Sequence, residues 1–391
     1  MKKKVLKIIL ISAMVMFLGW VGNLLLGRYL TPVLVKSKLF SRMEIFSNDN
    51  KNTTIINKTE KVIVREDNSM SEIASSAVYA VVNILSFEKR EDAKKINLSS
   101  VDELEKYSKG MSGAGTILTN DGIIVTYRTN IIEENAEYKV VSLGGNVLDA
   151  TLVGIDEFTN LAYLKVAGFN LTTIPFAGSS INNSGKKVIV IGNLSGLQRV
   201  HITDGIITSF DEKFNLSGGE ISSSEKLEGV LNVDFTKDDN YVGGPIINYS
   251  GELMAINAKL EIDGEKKYFQ IPVEVIKESM QKIVENKIKQ SAKLGIYYIS
   301  VDPFYKSLKN LSSDKGALIY SSTGKQGLAI LAGSPAEKHG LKIGDLILSI
   351  DGNEINSLHP LSNFINQYEE GNSATLGILR DGKNMEIVVE F

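Results

Sequence analysis

The sequence predicts a mainly β protein with two folded units behind one apolar helix, and three observations carry that prediction. The chain has 391 residues, about twice the roughly 100 to 200 of a typical domain, and is 43% hydrophobic and 23% charged. Between residues 80 and 258, short apolar runs alternate with Gly, Asn and Asp turn signals, the pattern of an all-β barrel or sandwich. From Leu294 to the end, strands and helices mix over a stretch the size of one further domain.

Composition narrows the chemistry early. A net charge of -3, from 43 basic and 46 acidic residues, gives no reason to expect a nucleic-acid partner. The absence of cysteine excludes thiol nucleophiles, thiolate metal sites and disulfide scaffolds. Only three histidines are present, His201, His339 and His359, so no metal or organic cofactor is expected and little imidazole is available for catalysis.

The first element is the uncharged run Ile8 to Gly27, whose 20 residues are long enough for a helix to cross a hydrocarbon core of roughly 30 Å. An uncleaved anchor is expected over a signal peptide, since no small-x-small cleavage pattern precedes Leu24-Leu25-Leu26. Lys2, Lys3, Lys4 and Lys7 precede the run, which puts the N-terminus in the cytoplasm and the remaining chain outside it. The expected organisation is a cytoplasmic tail and anchor over 1–35, a polar linker over 36–71, a β unit over 72–290 and a smaller unit over 291–391.

A helical start is expected at Ser71-Glu72-Ile73-Ala74. Strands are expected at 80–85, 115–118, 123–126, 138–143, 147–155, 161–166, 187–192, 201–209, 229–233 and 253–258, with a charged insertion over 87–111. An amphipathic helix over 272–289 closes the β unit, with Val273, Ile276, Met280 and Ile283 at helical spacing. In the last unit Pro335 opens a short helix and Gly340 ends it. Gly344-Asp345 turns into the strand 346–350, and Asp351-Gly352 and Asp381-Gly382 each make a hairpin.

The run from Gly333-Ser334-Pro335-Ala336 to Asp351-Gly352 resembles a PDZ domain. The two units in this order behind one anchor resemble the HtrA family of trypsin-like serine endopeptidases, from about residue 72 to the end. The resemblance rests on Gly113-Ala114-Gly115-Thr116, on Asn160-Leu161-Ala162-Tyr163-Leu164-Lys165-Val166 and on Gly243-Gly244-Pro245. It implies a trypsin-like double β-barrel followed by a PDZ domain of α+β type, with an N-terminal transmembrane helix. It also implies that Thr129 stands where the family has its catalytic His, Asn160 its Asp and Val242 its nucleophilic Ser.

None of these replacements supplies the missing chemistry. A Thr hydroxyl has no basicity near neutral pH, neutral Asn does not stabilise an imidazolium, and Val has no nucleophilic atom. Rescue from nearby is not expected: His201 reads as a strand residue, Asp156 as a turn residue and Ser222 to Ser224 as a polar loop. Asn240 replaces a Gly whose amide contributes to the family's oxyanion hole, and Asn tolerates left-handed backbone well enough for that loop shape to persist. The Gly243-Gly244-Pro245 run is read as a requirement of close strand packing.

Leu294-Gly295-Ile296 matches the family's carboxylate-binding loop, where successive N–H groups hold a peptide C-terminus, although the same residues also fit a simple buried strand. The expected function is that of an extracytoplasmic, catalytically dead HtrA-like protein. It would bind unfolded or C-terminal peptide segments as an adaptor or chaperone-like factor in protein quality control. Serine-type proteolysis through another arrangement and a structural role beside an active paralogue stay open, and a homotrimer or hetero-oligomer is implied by the resemblance.

Overall fold

A computed structural model of the chain describes residues 11–21, 66–89, 111–168, 170–193, 200–262, 264–325 and 328–391. The chain divides into two compact units, Met1–Ile63 and Val64–Phe391. In the first, residues 11–21 are helical, the central part of the predicted apolar run. Among the described residues no helix is long and apolar enough to cross a membrane. The basic residues before that run, most of the 36–71 linker and most of the 87–111 insertion lie outside the described residues.

The second unit opens with helix α1 (Glu66–Ala77), which begins before the expected Ser71. From Met70 onward one face is apolar: Met70, Ile73, Ala74 and Ala77 join the core. Six strands then close a first barrel: β1 (Val81–Glu88), β2 (Met111–Ile117), β3 (Ile123–Tyr127), β4 (Ala136–Val141), β5 (Val147–Asp156) and β6 (Leu161–Val166). A second barrel is closed by β7 (Lys187–Asn193), β8 (Val200–Asn215), β10 (Glu228–Asp234), β11 (Pro245–Ile247), β12 (Leu253–Ile262) and β13 (Glu265–Pro272). The intervening strand β9 (Ser222–Ser223) belongs to neither barrel.

The continuous apolar runs have a physical reason, because the strands facing the inter-barrel seam are buried on both sides. In β7, Val188 and Val190 point into the second barrel while Ile189 and Ile191 point into the seam. In β6, Ala162 and Leu164 fill the first barrel while Leu161 and Tyr163 face the seam. Helix α2 (Val273–Val284) follows, and its Ile276 and Ile283 pack on the seam cluster.

The C-terminal unit contains β14 (Tyr297–Ser300), β15 (Ala317–Ile319), β16 (Leu346–Ile350), β17 (Asn353–Glu354), β18 (Ser373–Arg380) and β19 (Lys383–Glu390). With β9 they form one sheet in the order β19-β18-β16-β15-β14-β9, with β17 paired to β16. Helices α3 (Pro303–Lys309), α4 (Pro335–Lys338) and α5 (Leu361–Ile365) complete it. The predicted turns form as expected, with Gly340, Gly344, Asp351, Gly352, Asp381 and Gly382 all at positive φ. Beneath them, Arg380 forks onto the buried Asp345, donating from Nε to Oδ1 and from Nη2 to Oδ2 at 2.6 Å each.

Candidate functional site

The folded chain brings together the segments that carry the three replaced positions. Thr129 lies exposed in the turn after β3, Asn160 is half-buried in the turn before β6, and Val242 follows a one-turn 3-10 helix over Asp239–Tyr241. Arg128 N–H donates to the Asn160 carbonyl at 2.9 Å. Asn130 Nδ2 donates to the Val242 carbonyl at 2.8 Å and to Thr126 Oγ1 at 3.0 Å. The three segments are therefore held together by backbone and side-chain hydrogen bonds, with Thr129, Asn160 and Val242 at the positions that the resemblance singles out.

Each replaced side chain has a different fate. Val242 is 1% exposed and belongs to the apolar cluster of the seam, so it presents no surface to a substrate. Asn160 adopts left-handed backbone at φ 58, and its side chain makes only long contacts, to Tyr127 OH and Lys226 Nζ at 3.5 Å each. Burial pushes the Tyr127 phenol up to about 12, against a smaller opposing effect of Asn160, so this neighbour stays neutral. The other candidates do not complete a triad. His201 lies on β8 with its ring 6.1 Å from that of Tyr241, and Asp156 closes its own turn by accepting from Phe158 N–H and Thr159 Oγ1.

The oxyanion loop differs from the expected shape. Asn240 is not left-handed but lies inside the 3-10 turn, where its N–H donates to Asp238 Oδ1 at 2.9 Å. Val242 N–H donates to the Asp239 carbonyl at 3.1 Å. Both amides that would hold a developing oxyanion are thus consumed within the loop. An ionic clamp holds this arrangement, since Asp239 takes Lys266 at 2.7 Å, Lys259 at 3.0 Å and Tyr268 OH at 2.7 Å. Burial alone would raise the Asp239 carboxyl, but these three donors outweigh it and hold the group at about 2.

The glycines after Val242 are required by packing. A Cβ on Gly243 would sit 2.1 Å from the Ala114 carbonyl oxygen, and one on Gly244 would sit 2.1 Å from that of Ile191. These distances are far inside van der Waals contact, so the Gly243-Gly244-Pro245 run follows from the barrel and needs no catalytic reason.

In the C-terminal unit, Leu294-Gly295-Ile296 forms a turn with buried side chains. The side chains of Leu294 and Ile296 are fully buried in the domain core. The carbonyls of Leu294 and Gly295 accept from Ala336 N–H at 3.0 Å and Leu331 N–H at 2.9 Å, and Gly295 turns the chain at φ 78. The three successive amides are left facing the other way, a nest suited to a carboxylate.

That nest meets the loop between β8 and β10, whose functional role was not legible in the sequence. Leu294 N–H and Gly295 N–H donate to Glu225 Oε1 at 3.1 and 2.8 Å, and Ile296 N–H donates to Ser224 Oγ at 3.0 Å. The same loop reaches the seam near Asn160, where Lys226 Nζ donates to the Glu157 carbonyl at 2.6 Å and Leu227 N–H to that of Phe158 at 3.0 Å. Beside it, Glu228 is 1% exposed and accepts from Tyr298 OH at 2.6 Å and from the Ser300 hydroxyl. A cavity of about 480 Å³ adjoins this contact, lined in part by Lys213, Glu228, Ser300, Phe304 and Leu308.

Burial pushes the Glu228 carboxyl above its usual 4.5, and hydrogen bonds from Ser300, Tyr298 and Ser222 offset this only in part. The folded protein therefore holds this proton more tightly than the unfolded chain does. Its stabilising effect is full below pH 4.5 and is lost as pH rises through the elevated folded value. Glu228→Gln keeps the shape and removes the ionisation. Melting temperatures across that window should show the variant gaining on the wild type as pH rises, and parallel profiles for the two proteins would refute this.

Residues 111–256 match the family described as a trypsin-like peptidase domain, and residues 293–391 match the PDZ domain family. The chain is 28% identical over 333 residues to the serine protease Do-like HtrA of Bacillus subtilis, covering 82% of this chain and 72% of that protein. It is 28% identical over 283 residues to the periplasmic serine endoprotease DegP of Escherichia coli, covering 71% of this chain and 56% of that protein. The chain spans little more than half the length of several of the curated relatives it matches. Among solved structures, the HtrA-type protease AlgW with tripeptide superposes with a TM-score of 0.63 at 23% identity, covering 82% of this chain and 96% of that one, which shows a shared fold. With both domains matched in order and both observed as folded bodies, the chain carries a trypsin-like peptidase domain followed by a PDZ domain, and its curated relatives include HtrA and DegP serine proteases.

Proposed function

We propose that this protein is an HtrA-like pseudoprotease that binds unfolded or C-terminal peptide segments through its PDZ domain, as an adaptor or chaperone-like factor in protein quality control. The observation that carries the reading is the consumed oxyanion loop: beyond the replacement of Thr129, Asn160 and Val242, the Asn240 and Val242 amides already have partners. Loss of a whole triad lowers turnover by about a million-fold, and the binding and oxyanion groups that usually leave residual catalysis are compromised here as well.

The nest at Leu294-Gly295-Ile296 supports the peptide-binding part, with a free α-carboxylate as the group it suits. The AlgW structures were solved with a tripeptide and a decapeptide, which supports the same class of ligand for this chain. The proposal includes a membrane anchor through Ile8 to Gly27, with the two domains outside the cytoplasm. It also includes assembly as a homotrimer or with active paralogues.

The test is release of acid-soluble peptides from unfolded casein by the purified chain beside an active HtrA-type enzyme. We expect no release above buffer. Cleavage that persists at constant specific activity through further purification, together with labelling by a fluorophosphonate, would establish the competing serine-protease reading, which the names of the curated relatives favour.

A further inference from the structure

A segment of this chain lies along the edge of the PDZ sheet and ends on the Leu294-Gly295-Ile296 turn. Strand β9 adds to the edge of β14 in antiparallel register, Ser223 opposite Tyr297 and Ser222 opposite Tyr298. On its other side β14 pairs with β15, so β9 takes the edge where an added strand would lie. Running from Ser222 to Glu225, the segment approaches Leu294-Gly295-Ile296 in the direction of a C-terminal peptide. It ends with a carboxylate on two of the three nest amides, the group a peptide terminus would place there.

Further contacts fasten the segment. Ser224 N–H donates to the Ile296 carbonyl at 3.0 Å, and Ser224 Oγ donates to Glu225 Oε1 at 2.6 Å. Glu228 continues the contact to the helix beside the sheet edge, because the Tyr298 hydroxyl that donates to it also accepts from Ser362 N–H of α5 at 3.2 Å. Ser222, Ser223 and Ser224 are all buried. The segment Ser222–Glu225 has no apolar side chain to bury and is held by backbone pairing and by one carboxylate.

We infer that Ser222–Glu225 is an internal ligand of the PDZ domain, with the Glu225 side chain standing in for a C-terminal carboxylate, so that an outside peptide binds by displacing it. The inference rests on the peptide-binding reading above and adds its regulation. The apparent affinity for an outside peptide is lowered by the small fraction of molecules in which the segment is undocked. Residues 226 and 227, which grip Glu157 and Phe158, carry the same displacement to the turn that holds Asn160.

The test uses the full-length chain in detergent micelles and two readouts. The first is hydrogen exchange at the Leu294, Gly295 and Ile296 amides with no ligand present. Glu225→Ala should accelerate it at least about tenfold, and Glu225→Gln, which keeps an acceptor, should have a smaller effect. The second is binding of a fluorescent decapeptide copying residues 216–225 with a free C-terminus, beside its C-terminally amidated twin. Glu225→Ala should bind the free acid at least about tenfold more tightly than wild type does.

The double variant Ser223→Cys, Tyr297→Cys supplies a lock, since the chain has no other cysteine and these residues are register partners. Its oxidised form should bind no peptide, and reduction should restore binding. Unchanged amide exchange in Glu225→Ala, or equal peptide binding by the oxidised and reduced lock, overturns the internal ligand. Faster exchange with no binding of either peptide by any variant leaves the internal ligand standing and removes the peptide-binding reading instead.

Discussion

Restoring the triad by Thr129→His, Asn160→Asp and Val242→Ser is expected not to restore proteolysis. The new serine would stand at a position that is 1% exposed within an apolar cluster, and the amides beside it would remain bonded within the loop. Each absent oxyanion donor costs about a hundred- to a thousand-fold in turnover. Adding Asp238→Ala and Asn240→Gly removes the acceptor held at 2.9 Å and permits the left-handed backbone that Asn240 does not adopt. The five-fold variant should therefore exceed the triple variant by at least about a hundredfold in casein turnover, the effect of one recovered donor. Equal rates for the two would show that the bonded loop is no barrier. The clamp on Asp239 works against the change, so Lys266→Ala is a natural addition if the loop fails to open.

The second large effect is on the PDZ domain itself. Gly295→Ala places a Cβ 2.3 Å from that of Ser334 at a backbone φ of 78. Left-handed backbone costs a non-glycine residue about 1 to 2 kcal/mol and overpacking about 1 to 3 kcal/mol more, so a loss of about 3 kcal/mol is expected. Gly333→Ala is the control, with a φ of 75 and nothing within 4 Å of the added atom, and should lose only the backbone part. Calorimetry that resolves the PDZ transition would compare them. Equal losses would mean that the Ser334 contact relaxes freely and that Gly295 is required for conformation alone.

How much of this was legible depends on the range of the interaction. Turn glycines such as Gly340 and Gly382 were readable because a positive φ is a property of one residue and its neighbours. The barrel strands were readable because burial on both faces writes a continuous apolar run. Strand β13 was missed because it begins Glu265-Lys266-Lys267, and its pairing with β12 is what makes it a strand. The three-residue β11 is too short to show a period, and it too exists through its neighbours.

At the site the division is the same. Sequence alone settled which side chains stand at Thr129, Asn160 and Val242, because chemical identity needs no geometry. For Gly295 and its neighbours the family resemblance implied a carboxylate loop, beside the plain reading of a buried strand. Tertiary structure alone decided where the amides of that loop and of the oxyanion loop point, since a backbone N–H is the same group in every residue. Glu225 reaches Gly295 across 70 positions, and Asn240 turns to Asp238 under a clamp built from β12 and β13. A two-residue strand of serines has no hydrophobic pattern to announce it, and only the unpaired edge of β14 makes it one.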